Sequence, residues 1–193
     1  VWIAPHGMVN LSRMITGAEV GIGAQPHLEH ATFSHEIAHQ YWGHLARPAS
    51  IEDFWIAESF SEGFACMYVG AAFDPKACED RMTKARRYWE RRPDAWGGIA
   101  SLSEAYTTHE QGKVVYEYGP YVMHEMLRRR IGKAAYFGAL DVMLREHAHQ
   151  PITTERLQHY FEAASGRDLS GFFDFWVYQG LVPAVNGRWH QDG

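Results

Sequence analysis

The sequence predicts a mainly α domain of the α+β class, and three observations carry that prediction. From about residue 28 onward apolar residues recur at helical spacing, with capping residues and glycine stops between the segments. Before Ala24 the chain instead holds two short strand-like runs broken by Pro5, Gly7 and Gly17. Its 193 residues are 46% apolar, enough for one sizeable core. We therefore expect 1–193 to be a single domain, with 1–27 a strand and loop edge and 28–193 helical.

Taken in order, Pro26 stands where a helix can begin, because a first-turn proline forfeits no hydrogen bond. Helices are expected over about 28–45, 52–72, 76–92, 119–131, 133–147, 153–164 and 169–178. Gly43 and Pro48 end the first. Thr153-Thr154-Glu155 supplies a cap ahead of Leu157, Tyr160 and Phe161, while Gly132 and Gly166 are stops. Pro120 fits only a first helical turn, which places Tyr116 before that helix, exposed at a loop-to-helix junction. Between Arg92 and Glu110, Pro93, Gly97 and Gly98 mark a loop long enough to act as a lid or binding edge.

A net charge of −5 gives no electrostatic case for nucleic acid. The cations Arg81, Lys84, Arg86, Arg87, Arg91 and Arg92, and the run Arg128-Arg129-Arg130, read as solvated helix faces, the second favoured by the helix dipole. The longest apolar stretch, from Gly63 to Phe73, is far short of the roughly 20 residues a bilayer requires. Cys66 and Cys78 make no framework, and Cys66 on an apolar helix face reads as a buried free thiol. Gly21-Ile22-Gly23 lacks the rest of a dinucleotide loop, and Ser34 lacks a nucleophile elbow. The chain opens on Val1 inside a strand-like run, Val1-Trp2-Ile3-Ala4, and we expect a fragment of a larger protein.

The chemistry lies in His35-Glu36-Ile37-Ala38-His39. Residues four apart share a helix face, so both imidazoles can reach one metal ion while Glu36 faces a water bound to it. Catalytic zinc takes three protein ligands and leaves a position for water, whose pKa falls to roughly 7. Glu58, on the first turns of the next apolar-periodic segment, supplies a carboxylate as third ligand. One Zn²⁺ per chain on His35, His39 and Glu58 is the expectation, with Glu36 as general base.

His-Glu-x-x-His, eighteen residues, then Glu within Phe54-Trp55-Ile56-Ala57-Glu58 resembles the aminopeptidase N and leukotriene hydrolase family of gluzincins, as does His39-Gln40-Tyr41-Trp42-Gly43. The resemblance runs from about Leu28 to Phe172-Phe173-Asp174-Phe175-Trp176, Gln179-Gly180 and Pro183. It implies the helical part of a thermolysin-like zincin catalytic domain with a small N-terminal strand remnant. The family's β-rich preceding domain, most of the catalytic sheet and the following helical domain are not in this stretch. Ser61-Glu62-Gly63-Phe64-Ala65 also resembles the string after the family's third ligand. Glu62 competes with Glu58 for that role, but the spacing and the Phe54-Trp55 pair favour Glu58, leaving Glu62 to hold a ligand histidine by its other nitrogen. Val114-Val115-Tyr116-Glu117-Tyr118-Gly119 resembles the family's Tyr-Glu-Lys-Gly stretch, which implies that Tyr116 donates to the oxyanion.

The departures are specific. Tyr118 replaces the family's lysine, Ala57-Glu58-Ser59 stands for Asn-Glu-Gly, and Gly17-Ala18-Glu19-Val20-Gly21 only echoes Gly-x-Met-Glu-Asn. In the family the glutamate of that last strand holds the substrate's α-amine, which implies substrate binding by Glu19. The reading is a zinc-dependent peptidase, an aminopeptidase releasing N-terminal residues from a peptide substrate. Two alternatives stand beside it: a catalytically impaired binding or scaffold module, and a zinc hydrolase with endopeptidase or non-peptide activity.

Overall fold

The computed structural model describes residues 26–91 and 112–179. The strand-like runs before Ala24, Glu19 among them, and the loop from Arg92 to Glu110 lie outside the described residues. The described chain is mainly helical: α1 (Pro26–Ala38), α2 (Trp55–Ala72), α3 (Pro75–Glu90), α4 (112–131), α5 (Lys133–Glu146), α6 (Thr154–Ser165) and α7 (170–179). A small parallel sheet pairs β1 (Ala46–Pro48) with β2 (Gln150–Ile152), Ala46 facing Gln150 and Pro48 facing Ile152. Helix α1 is shorter than expected. It ends at Ala38, the chain turns through Gly43 at φ 120°, a conformation open to glycine at little cost, and the residues read as helix to 45 lead into β1 instead.

Helix α2 is the central element, packing against α1, α3 and α4, while α5 lies on α6. Its burial is nearly all round at the start, from Trp55 to Gly63, which suits a helix with neighbours on several sides. Trp42, Trp55, Phe60, Tyr136, Phe161 and Phe173 are the largest fully buried side chains of one continuous core. A polar latch ties the start of α2 to the start of α6. Asp53 Oδ1 accepts from Thr154 N–H at 2.7 Å and Thr154 Oγ1 at 2.8 Å, and Trp55 Nε1 donates to that hydroxyl at 3.0 Å. The latch satisfies each buried polar atom locally, including an unpaired N–H at the α6 N-terminus. Caps agree with the sequence: Asp74 accepts from Lys76 N–H with Pro75 at N1, Thr153 accepts from Arg156 N–H, and Gly166 closes α6 at φ 64°.

Two further expectations are corrected. Cys66 is not a free thiol but is disulfide-bonded to Cys78, joining α2 to α3. The apolar face of α2 that suggested burial is also the face α3 packs on, so the second cysteine meets the first there. Nor does a helix begin at Pro120. Helical backbone runs unbroken through Pro120, and Tyr116 sits within α4. The reason is a change of register. Val114–Tyr118 and Tyr121–Leu127 are π-helical, and Gly119 N–H bonds Val114 O, five residues back. Pro120 has no N–H to offer Val115 O, five residues back, and Ser59 Oγ of α2 donates to that carbonyl at 2.7 Å. Gly119 makes the approach possible, since a Cβ there would lie 1.9 Å from Ser59 Oγ.

Candidate metal centre

Two helices build the site. His35 occupies the last turn of α1, and His39 follows just past its end with its N–H still bonded to His35 O at 3.2 Å, so the rings share a face. Their Nε2 atoms are 2.9 Å apart. Helix α2, packed alongside, brings Glu58 from its first turn: Oε2 is 3.3 Å from His35 Nε2 and 3.4 Å from His39 Nε2. All three residues are buried, and their donor atoms lie within 4.8 Å of one another.

The hydrogen bonds behind the rings determine which nitrogen faces the centre. His39 Nδ1 is 2.9 Å from Trp42 O, a carbonyl that only accepts, so Nδ1 carries the hydrogen and Nε2 presents its lone pair. Ser61 Oγ lies 3.1 Å from the same Nδ1. His35 Nδ1 makes a close but bent contact of 2.7 Å with Glu62 Oε2, which leaves its Nε2 turned to the centre as well. Two imidazole nitrogens and a carboxylate oxygen converging without a donor among them require positive charge at that point. A proton supplies it in part: burial opposes the charge on His35, but the hydrogen bonds its ring donates to the Glu58 and Glu62 carboxylates outweigh burial and raise its pKa to about 9. Against burial, His35 and His39 hold Glu58 at about 2.

The set also fits zinc by size. Tetrahedral bonds of about 2.0–2.1 Å place ligand atoms roughly 3.3 Å apart. The 3.3 and 3.4 Å edges agree and the 2.9 Å edge is slightly short.

Glu36 lies beside this set with Oε2 buried and without a hydrogen bond to protein. Burial raises its pKa, offset by the two histidines. Tyr116 is exposed as expected, its ring centroid 6.0 Å from that of His35, with the Glu58 carboxylate among the charges acting on its hydroxyl. Burial of the hydroxyl and the Glu58 carboxylate push the phenol well above its usual range, so it stays a hydrogen-bond donor. The structure thus brings together His35, His39, Glu58, Glu36, Glu62 and Tyr116. Glu19 lies outside the described residues.

One neighbour was not anticipated. Arg81 of α3, grouped by sequence with the solvated cations, pairs through Nη2 with Glu62 Oε1. Nothing local distinguishes it from Lys84 or Arg86, because its partner is nineteen residues away on another helix. Arg128 and Arg129 behave as read, pairing with Glu125 on their own helix.

Residues 20–176 match the family model described as the peptidase family M1 domain, spanning both helices of the centre. The chain is a member of the M1 peptidase family. Among M1 relatives, aminopeptidase N of Lactococcus lactis subsp. lactis is 29% identical over 163 residues, covering 80% of this chain and 19% of the relative. Aminopeptidase N of Caulobacter vibrioides is 27% identical over 164 residues, 80% of this chain and 18% of the relative. The chain thus spans about a fifth of the length of these curated M1 relatives. The fold is likewise that of an M1 enzyme. A Deinococcus radiodurans M1 zinc metallopeptidase variant, crystallised with a Tyr-Ser-Ala substrate, superimposes with a TM-score of 0.63 at 20% identity, over 80% of this chain and 34% of the other.

Proposed function

We propose that the chain is the catalytic domain of a zinc-dependent aminopeptidase, part of a longer protein, holding one zinc through His35, His39 and Glu58. The convergence of three buried donor atoms, two of them imidazole nitrogens freed by bonds behind their rings, carries this reading. Membership of the M1 family and the likeness to aminopeptidase N support it.

A zinc ion in this set supplies Lewis acidity toward a peptide carbonyl and acidifies the attacking water. Glu36 takes the proton of that water and returns it to the leaving amine; its orphaned oxygen and its raised pKa suit both halves of the transfer. Tyr116, kept protonated, donates to the oxyanion. Glu62 holds His35 by Nδ1. Glu19 pairs with the substrate's α-amine and so limits cleavage to single N-terminal residues.

Two of the departures from the family's strings, Ser59 and Tyr118, have packing roles. Ser59 satisfies Val115 O, and Tyr118 is buried with its ring centroid 4.7 Å from that of Trp89. Neither substitution takes a donor from the centre. Rates on free-amine and N-acetylated aminoacyl substrates test the aminopeptidase reading. Acetylation is expected to abolish turnover, and Glu19→Ala to cost on the order of 2–5 kcal/mol in kcat/KM with zinc retained. Equal cleavage of acetylated peptides at internal bonds would make it an endopeptidase.

A further inference from the structure

We propose that Arg81 is a positioning residue for the metal centre, holding Glu62 so that one carboxylate oxygen orients His35. The inference rests on the zinc reading above. Its basis is how Glu62 divides its oxygens: Oε1 meets Arg81 Nη2, and Oε2 meets His35 Nδ1 at 2.7 Å. The far nitrogen of that imidazole, Nε2, is 3.3 Å from Glu58 and 2.9 Å from His39 Nε2. A continuous series therefore runs from α3 through α2 to α1: guanidinium, carboxylate, imidazole, ligand set.

Three physical consequences follow. The guanidinium removes rotational freedom from the Glu62 carboxylate, so Oε2 stays aimed at Nδ1. It also compensates the charge of a buried carboxylate that would otherwise face only an imidazole. Finally, Arg81 is held in register by a covalent neighbour. Cys66 is four residues beyond Glu62 on α2 and Cys78 three residues before Arg81 on α3, so the disulfide and the ion pair are adjacent rungs of one seam between the helices. The rung is not a packing necessity. Arg81 is 37% exposed and walls an open cavity of about 510 Å³ shared with Ala31, Lys84 and Glu117, so Arg81→Met leaves no sealed void.

The test is zinc affinity of the full chain, measured by competition with a chromophoric chelator, for wild type, Arg81→Met, Arg81→Lys, Glu62→Gln and the Arg81→Met, Glu62→Gln double variant. Partners behind a metal-bound histidine typically contribute 10–100-fold in affinity. We expect Arg81→Met to weaken zinc binding about 10-fold, Arg81→Lys to recover most of that loss, and Arg81→Met to cost nothing further once Glu62 is glutamine. The last expectation separates positioning through Glu62 from a general effect on folding, which would add in both backgrounds. If Arg81→Met fails to fold, Arg81→Gln in the two Glu62 backgrounds carries the same comparison. Wild-type affinity in Arg81→Met, or a full additive loss in the double variant, overturns the proposal. A wild type that takes up no zinc overturns the metal centre itself and this inference with it.

Discussion

At the scale of single residues, the site depends on which atom each side chain leaves free. Glu36 has an oxygen with no hydrogen-bond partner in the protein, beside the three side chains that could hold a metal. Glu36→Gln preserves shape but cannot accept a proton, so we expect retained zinc and a loss of roughly 10²–10⁴ in kcat. Metal analysis beside steady-state kinetics checks both halves, and activity within a few-fold of wild type would place the base elsewhere. Tyr116→Phe removes only the hydroxyl and keeps the ring beside His35. A fall of about 10²–10³ in kcat with unchanged zinc content is expected if it serves the oxyanion. The clustering of His35, His39 and Glu58 was legible in the sequence: the two histidines share a helix face, and the resemblance, through its spacing and the Phe54-Trp55 pair, pointed to Glu58 over Glu62. Arg81 was not legible, since a guanidinium acquires its role from a partner on another helix.

At the scale of elements, α2 and α4 fit through a small-residue contact that the primary structure conceals. Helix limits read from caps held where the stop is local, as with Thr153 and Gly166. They failed at Pro120, because the π-helical register and the Ser59 hydroxyl together replace the hydrogen bond that proline cannot make. They failed again past Ala38, where pairing of β1 with β2 wins over continued helix. Gly119→Ala is therefore expected to destabilise by about 1–3 kcal/mol, as overpacking does, because its Cβ would meet Ser59 Oγ at 1.9 Å. Denaturant unfolding reads the shift. Recovery of part of that loss in Gly119→Ala, Ser59→Gly would locate the strain between these two residues, while no recovery would contradict the contact. The disulfide belongs to the same scale. Its 12-residue separation gives a loop-closure contribution of about 3 kcal/mol, so Cys66→Ser, Cys78→Ser should unfold at markedly lower denaturant.

At the scale of the whole molecule, stability and metal binding are coupled to protons. His124 is buried between α2 and α5, with Nδ1 2.9 Å from the Tyr136 hydroxyl and the ring against Gly63. Burial, reinforced by Arg128, lowers its pKa to about 3. The unfolded chain takes up a proton near pH 6.5 that the folded chain refuses, so this contribution is complete above pH 6.5 and is lost as pH falls toward 3. By pH 5 the loss is about 2 kcal/mol, and the pH slope of unfolding free energy over that interval should flatten by up to one proton in His124→Gln. An unchanged slope would mean that the folded state accommodates the imidazolium. Among the described residues no helix is long and apolar enough to cross a membrane. The mainly α class was readable in the sequence, since amphipathic periodicity is local, whereas the seams between helices at Ser59, Cys66 and Arg81 depend on tertiary neighbours. The central claim is that two histidines and one glutamate from separate helices hold a single zinc, and elemental analysis of the purified chain after dialysis against buffered zinc tests it most directly. One zinc per chain is expected in wild type and in Glu36→Gln, and well below one in His35→Ala, His39→Ala and Glu58→Ala. Full zinc in any of the last three, or none in wild type, would contradict it.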